Sequence, residues 1–111
     1  MSLRIREYLT ADGRNPFRDW LGRLDSRTKA RVQARVLRFE TGNLGDHKSV
    51  GRGVWEARMD FGPGFRIYFG KFGSSIVILL TGGDKSSQGR DICRAQAFWR
   101  DYLEATRHGK A

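Results

Sequence analysis

The sequence predicts an α+β domain of element order β-α-α-β-β-β-α, with helices packed on a small antiparallel sheet. Three observations lead to it. Residues 54–69 alternate apolar and polar side chains in two stretches separated by Gly62-Pro63-Gly64. Residues 75–81 form a short, almost wholly apolar run rich in β-branched side chains. Residues 16–41 and 88–107 instead repeat their apolar positions every three or four residues, as helices do.

In chain order, Leu3 and Ile5 alternate with Arg4 and Arg6, a first strand that Asp12-Gly13 ends. Asn15 before Pro16 signals a helix start: the asparagine side chain accepts from a free amide, and proline has none to satisfy. Phe17, Trp20, Leu21 and Leu24 then give a short amphipathic helix. A second helix starts at Asp25 or Ser26 and runs to about Thr41, with Gly42 where a left-handed cap belongs. Its core stripe is Thr28, Val32, Val36 and Phe39. Arg27, Arg31, Arg35 and Arg38 line one flank, a ridge that could follow a phosphate backbone, meet an acidic protein or stand as an ordinary solvated face. Residues 42–53 read as a glycine-rich loop holding His47, Lys48 and Arg52.

In the hairpin, Trp55, Ala57, Met59 and Phe61 share one face with Phe65, Ile67 and Phe69. A three-residue loop, Gly62-Pro63-Gly64, would pair Phe61 with Phe65 and Met59 with Ile67. It would also set Asp60 beside Arg66 and Arg58 beside Tyr68. A slip of one residue would bury the Arg66 guanidinium, so desolvation selects this register. The run 75–81 suits a strand covered on both faces. It ends at Gly82-Gly83-Asp84-Lys85 and feeds a last helix, 88–107, with Ile92, Ala95, Trp99, Tyr102 and Thr106 on one stripe. Residues 109–111 are expected to fray.

At 111 residues the chain is read as one domain, 1–111. Its single cysteine, Cys93, has no partner for an internal disulfide, no apolar run is long enough to span a bilayer, and no signal peptide stands at the start. The expected setting is the cytoplasm, with no membrane. No Cys/His cluster has zinc-site spacing, so no metal and no other cofactor is expected. The net charge is +9, from 16 arginines and 5 lysines against 12 acids. Such an excess on a small domain points to a polyanion, most often nucleic acid.

The polar face of the hairpin gathers Glu56, Arg58, Asp60, Arg66 and Tyr68, with Lys85 at its rim. Cleaving RNA without a metal requires deprotonating a 2′-OH, stabilising a dianionic phosphorane and protonating the departing 5′ oxygen. Arg58, Arg66 and Lys85 could stabilise the charge, and Glu56 is the candidate proton acceptor, assisted by Tyr68 or a cation. His47, in a loop, and His108, in the tail, are poor candidates by position. The plainer alternative is a cross-strand Asp60–Arg66 ion pair contributing under ~1 kcal/mol on an exposed face.

Three stretches together carry a family likeness: Gly53-Val54-Trp55-Glu56-Ala57-Arg58, Gly62-Pro63-Gly64-Phe65-Arg66-Ile67-Tyr68-Phe69, and Leu80-Thr81-Gly82-Gly83-Asp84-Lys85-Ser86-Ser87-Gln88. They resemble the RelE/ParE superfamily of toxins, in particular the HigB-like addiction module killer proteins with their GGDK-x-x-Q segment, over nearly the whole chain. The resemblance implies a type II toxin neutralised by a protein antitoxin of helix-turn-helix type. It also implies a ribosome-dependent endoribonuclease that cuts mRNA by 2′-OH attack with no metal. By position it assigns phosphate-binding roles to Arg58, Arg66 and Lys85, and the motif glutamate to Glu56. RNA contacts are expected from Lys48, Arg52, Tyr68, Gln88, Arg27, Arg31, Arg35 and Arg38. Where some relatives carry a catalytic tyrosine or histidine near the last helix, this chain offers Gln88 and Asp91. Two other functions fit the same likeness: a ParE-like poison of DNA gyrase, and a non-toxic member that only binds its antitoxin.

Overall fold

The structure, a computed structural model, describes residues 2–109. Its elements are β1 (Arg4–Glu7), α1 (Pro16–Gly22), α2 (Ser26–Glu40), β2 (His47–Gly51), β3 (Val54–Arg58), β4 (Arg66–Phe72), β5 (Ile76–Gly83), a 3₁₀ turn (Lys85–Ser87) and α3 (Gln88–Arg107). The fold is α+β. Beyond Gly109, the expected frayed tail lies outside the described residues.

The helix starts follow the capping chemistry. Asn15 accepts from the Arg18 amide at 3.0 Å, with Pro16 directly behind it. Asp25 accepts from the Thr28 amide at 2.8 Å. Gly42, just past the end of α2, takes the left-handed φ of 89° that a side chain would oppose.

The strands form one sheet of order β1-β5-β4-β3-β2. Two features correct the expectation of a three-stranded antiparallel hairpin unit. Residues 47–51, read as loop, are an edge strand antiparallel to β3. With only Val50 apolar, this strand is held by backbone pairing more than by burial and carries no alternation to detect. β1 runs parallel to β5, Ile5 opposite Val77, so the sheet is mixed.

The hairpin register also differs. Ala57 lies opposite Ile67 and Arg58 opposite Arg66, and the Met59 amide bonds to the Phe65 carbonyl. This is two residues away from the expected pairing. Gly62 and Gly64 both adopt left-handed φ, 57° and 78°, and the loop opens to span residues 60–64. A shift of two preserves the facing of every side chain. Ala57, Met59, Ile67 and Phe69 therefore do share one core face, while Asp60 falls in the turn and is exposed.

The sheet is covered on both sides. α1 and α2 bury Phe17, Trp20, Val32 and Phe39 against Val77, Leu79 and the hairpin's apolar face. α3 lays Ala95 and Trp99 over Tyr8, Val54, Tyr68, Ile78 and Leu80. The β4–β5 ladder skips Leu80, passing from Tyr68–Thr81 to Phe69–Leu79. That irregularity turns Gly82 toward α1 and Gly83 toward α3. Neither position admits a side chain: a Cβ on Gly82 would lie 2.2 Å from the Trp20 ring, and one on Gly83 would lie within bonding distance of the Asp91 carboxylate.

Gly70 is closed in the same way by Trp99, whose ring would lie 2.4 Å from a Cβ at that position. Gly70→Ala should therefore cost about 1–3 kcal/mol through overpacking. Denaturant unfolding beside the wild type checks this, and equal midpoints would refute it.

Candidate functional site

Cross-strand pairing on the α3 side of the sheet sets out two polar rows. Lys48, Glu56, Tyr68 and Thr81 occupy successive strands in one, and Arg58, Arg66 and Gly83 in the next. The second row is where β3 and β5 end and β4 begins, so its side chains look onto the 3₁₀ turn and the first turn of α3.

Glu56 is the centre of this arrangement and is fully buried. Its Oε2 accepts from the Tyr68 hydroxyl at 3.0 Å and from the Gln88 amide at 2.8 Å, and lies 3.8 Å from Arg66 Nε. Glu56 Oε1, Arg66 Nε and Arg58 Nε are buried without a hydrogen-bond partner among the described residues. Burial, and then the neighbouring Glu56 charge, push the Tyr68 pKa far above the usual phenol range. The phenol is thus a neutral donor to the carboxylate.

Arg58 and Arg66 face each other directly across the ladder, a repulsive pairing by itself. Asp46, 3.2 Å from Arg58, and Glu56 beside Arg66 offset it. Lys85 completes the group. A Cβ on Gly64 would lie 3.4 Å from Lys85 Cβ and 3.7 Å from an Arg66 guanidinium nitrogen, so the two cationic side chains flank the same glycine. The Lys85 amide donates to the Pro63 carbonyl at 3.3 Å, fixing the start of the 3₁₀ turn against the hairpin loop. Asp84 caps that turn, and its pKa is lowered first by the Ser86 hydroxyl. Lys85 joins no ion pair among the described residues.

The structure brings together Glu56, Arg58, Arg66, Tyr68, Lys85 and Gln88. It gives several of the expected residues other places. Tyr68, expected to touch RNA, is a core residue beneath α3. Glu56 lies on the expected face but is sealed under Gln88, because α3 covers that face. Arg35 is no part of an exposed ridge: its guanidinium is buried and donates to the carbonyls of Arg58, Leu44 and Asp46 at 2.8–3.0 Å. Arg27, Arg31 and Arg38 are exposed on α2, which packs on the opposite side of the sheet. Arg31 stacks on Phe61 with 3.7 Å to the ring centroid. Lys48 is exposed on the edge strand, in the row of Glu56. Arg52 stands at the far end of β3 from Arg58. The Asp60–Arg66 ion pair does not form, because the two-residue shift gives Arg66 to Glu56.

Asp46 and Asp91 have roles here that sequence reasoning does not reach. Asp91 is buried against Gly83 and accepts from the Ser87 hydroxyl. Paired glycines ahead of a helix are the available signal for such a close approach; Asp46 carries none.

No family model matches the sequence. It is similar to an uncharacterized protein of Haemophilus influenzae, 43% identical over 97 residues that span 86% of this chain and 92% of the relative. The chain belongs to that protein's family. The kinship covers almost the full length of both proteins, so the relative is expected to carry a comparable arrangement of sheet and helices.

Tyr68→Phe removes a donor from a buried carboxylate and should cost about 1–3 kcal/mol near neutral pH. The raised phenol pKa adds a pH signature. Its contribution is fully present below the unfolded value of about 10 and is lost as pH rises above it. The stability gap between wild type and Tyr68→Phe should therefore narrow as pH is raised from about 9 to about 11. A gap that stays constant in denaturant titrations would contradict the assignment.

Proposed function

We propose that the protein is the toxin of a type II toxin–antitoxin module, of RelE/ParE topology, that cuts mRNA on the ribosome. The observation that carries this reading is a gathering of three cations beside a buried carboxylate: Arg58 lies opposite Arg66, Arg66 and Lys85 flank Gly64, and the carboxylate holds Arg66. The likeness of the WE-x-R, G-x-G-F-R and GGDK-x-x-Q stretches to HigB-like toxins supports it from the sequence.

In the proposed reaction the 2′-OH gives its proton to water and its oxygen attacks the adjacent phosphorus, the bond to the 5′ oxygen breaks, and that oxygen takes a proton from water, leaving a cyclic phosphate and a 5′-hydroxyl end. Two guanidinium groups and an ammonium offset the charge that builds on the phosphorane. Glu56 is already engaged by Tyr68, Gln88 and Arg66 through Oε2. Its role in this scheme is to hold Arg66 in place; sealed beneath α3, it is out of reach of the 2′ proton, which passes to solvent water. The partners implied are the ribosome with its mRNA and a neutralising antitoxin, in the cytoplasm.

The test is a cell-free translation reaction with a defined mRNA, run beside a DNA supercoiling assay. The wild type should cut the mRNA and leave gyrase active. Arg66→Ala and Lys85→Ala should each lower the cleavage rate by about 10²–10³-fold while remaining folded. Glu56→Gln should also be slower. Intact mRNA together with lost supercoiling would replace this reading with a gyrase poison. Intact mRNA, active gyrase and no growth arrest on expression would leave only antitoxin binding.

A further inference from the structure

A second basic feature lies on the same side of the sheet as the Arg58–Arg66–Lys85 group, at the opposite end of β3. The β2–β3 turn and α3 enclose a groove of about 640 Å³ lined by Arg52, Gln96, Trp99, Arg100, Leu103 and Arg107, among others. Its one carboxylate, Glu104, is taken by Arg107 at 2.9 Å. Arg52 and Arg100 are exposed and join no ion pair among the described residues.

The groove is a built feature, not a loose loop beside a helix. Gln96 donates to the Val50 carbonyl at 3.1 Å, tying the hairpin tip to α3. The Trp99 indole closes on Gly53, where a Cβ would lie 2.5 Å from Nε1. Arg52 sits at φ 55°, the one non-glycine among the described residues in the left-handed region. An arginine kept where glycine would relax the backbone points to a use for its side chain. Leu103, 41% exposed, supplies an apolar wall beside the guanidinium groups.

From Arg58 back to Val54 is a run of extended chain about 13 Å long, and Arg52 lies in the turn just beyond it. Lys48, exposed and opposite Glu56, stands part-way along the same edge. We propose that this edge is a single-stranded RNA track, in which the Arg52–Arg100 groove holds the backbone a few nucleotides from the phosphate gripped by Arg58, Arg66 and Lys85. Cations that flank an apolar wall suit a chain of phosphates and bases, whereas an acidic peptide would need only the charge. The inference rests on the RNA-cutting reading above and adds to it the path of the substrate.

The test combines binding of a fluorescein-labelled 12-nucleotide RNA, over a range of salt concentrations, with cleavage of mRNA on programmed ribosomes. Arg52→Gly, which the turn accepts, is combined with Arg100→Ala, and an Arg23→Ala/Lys29→Ala variant matches the charge loss elsewhere. The groove variant should lower the log–log salt slope by about 1.4, about 0.7 for each phosphate no longer neutralised, with its melting temperature kept. The matched variant should keep the wild-type slope. An unchanged slope in the groove variant, or wild-type protein that cleaves on the ribosome without salt-dependent binding of the 12-mer, overturns the track alone. Equal binding of poly-glutamate, abolished in the same variant, also overturns it in favour of an acidic protein partner. Wild-type protein that neither binds RNA nor cuts mRNA overturns the RNA reading itself.

Discussion

A carboxylate with no access to water governs one end of this molecule. Placing Glu56 beneath α3 costs several kcal/mol in lost hydration unless other groups replace the water. Tyr68 from β4, Gln88 from α3 and Arg66 from the start of β4 do so together. Three side chains, two from β4 and one from α3, are thereby pinned to one oxygen. Removing any of the three leaves the charge less compensated, so the cluster behaves as a unit and not as separable contacts. An apolar substitute could pack the same space, but it would give Arg66 no fixed bearing. Among the described residues Arg58 Nε, Arg66 Nε and Glu56 Oε1 lack a hydrogen-bond partner, as does Arg35 Nε on the other side of the sheet.

The GGDK-x-x-Q segment owes its composition to the same region. Gly82 accepts the face of Trp20 and Gly83 accepts the Asp91 carboxylate, from opposite sides of the sheet. Asp84 caps the turn that follows, Lys85 is shown at the rim, and Gln88 reaches back to Glu56. Each position answers a different demand, and together they set the distance between α3 and the end of β5. The skipped Leu80 makes this possible, since a regular ladder would have turned both glycines to the wrong sides.

Much of the fold is legible in the sequence because burial leaves a period. The helix caps at Asn15, Asp25 and Gly42, the extent of α3, and the facing of Met59, Ile67 and Phe69 all follow from local rules. What stays hidden lacks a local cause. An edge strand such as His47–Gly51 is stabilised through its neighbour's backbone, and the parallel placement of β1 is a tertiary choice. The hairpin register departs from expectation because two left-handed glycines widen the loop where one would close it. At the site, residue types and facing are readable, but burial is not. Arginines spaced along α2 look alike in the sequence, yet Arg35 is the buried clamp of the Leu44–Asp46 loop and Arg31 lies on an aromatic ring. Tyr68 and Glu56 face the expected way, and only the arrival of α3 from far along the chain seals them.

The parallel pairing of β1 with β5 bears on how the chain is made. Ile5 finds Val77 and Glu7 finds Leu79 across some seventy residues, so β1 leaves the ribosome well before the strand it pairs with. At about 5–20 residues per second, β1 waits several seconds with its backbone groups exposed. Arg4, Arg6 and Glu7, charges on a very short strand, blunt its tendency to pair with another nascent chain during that interval.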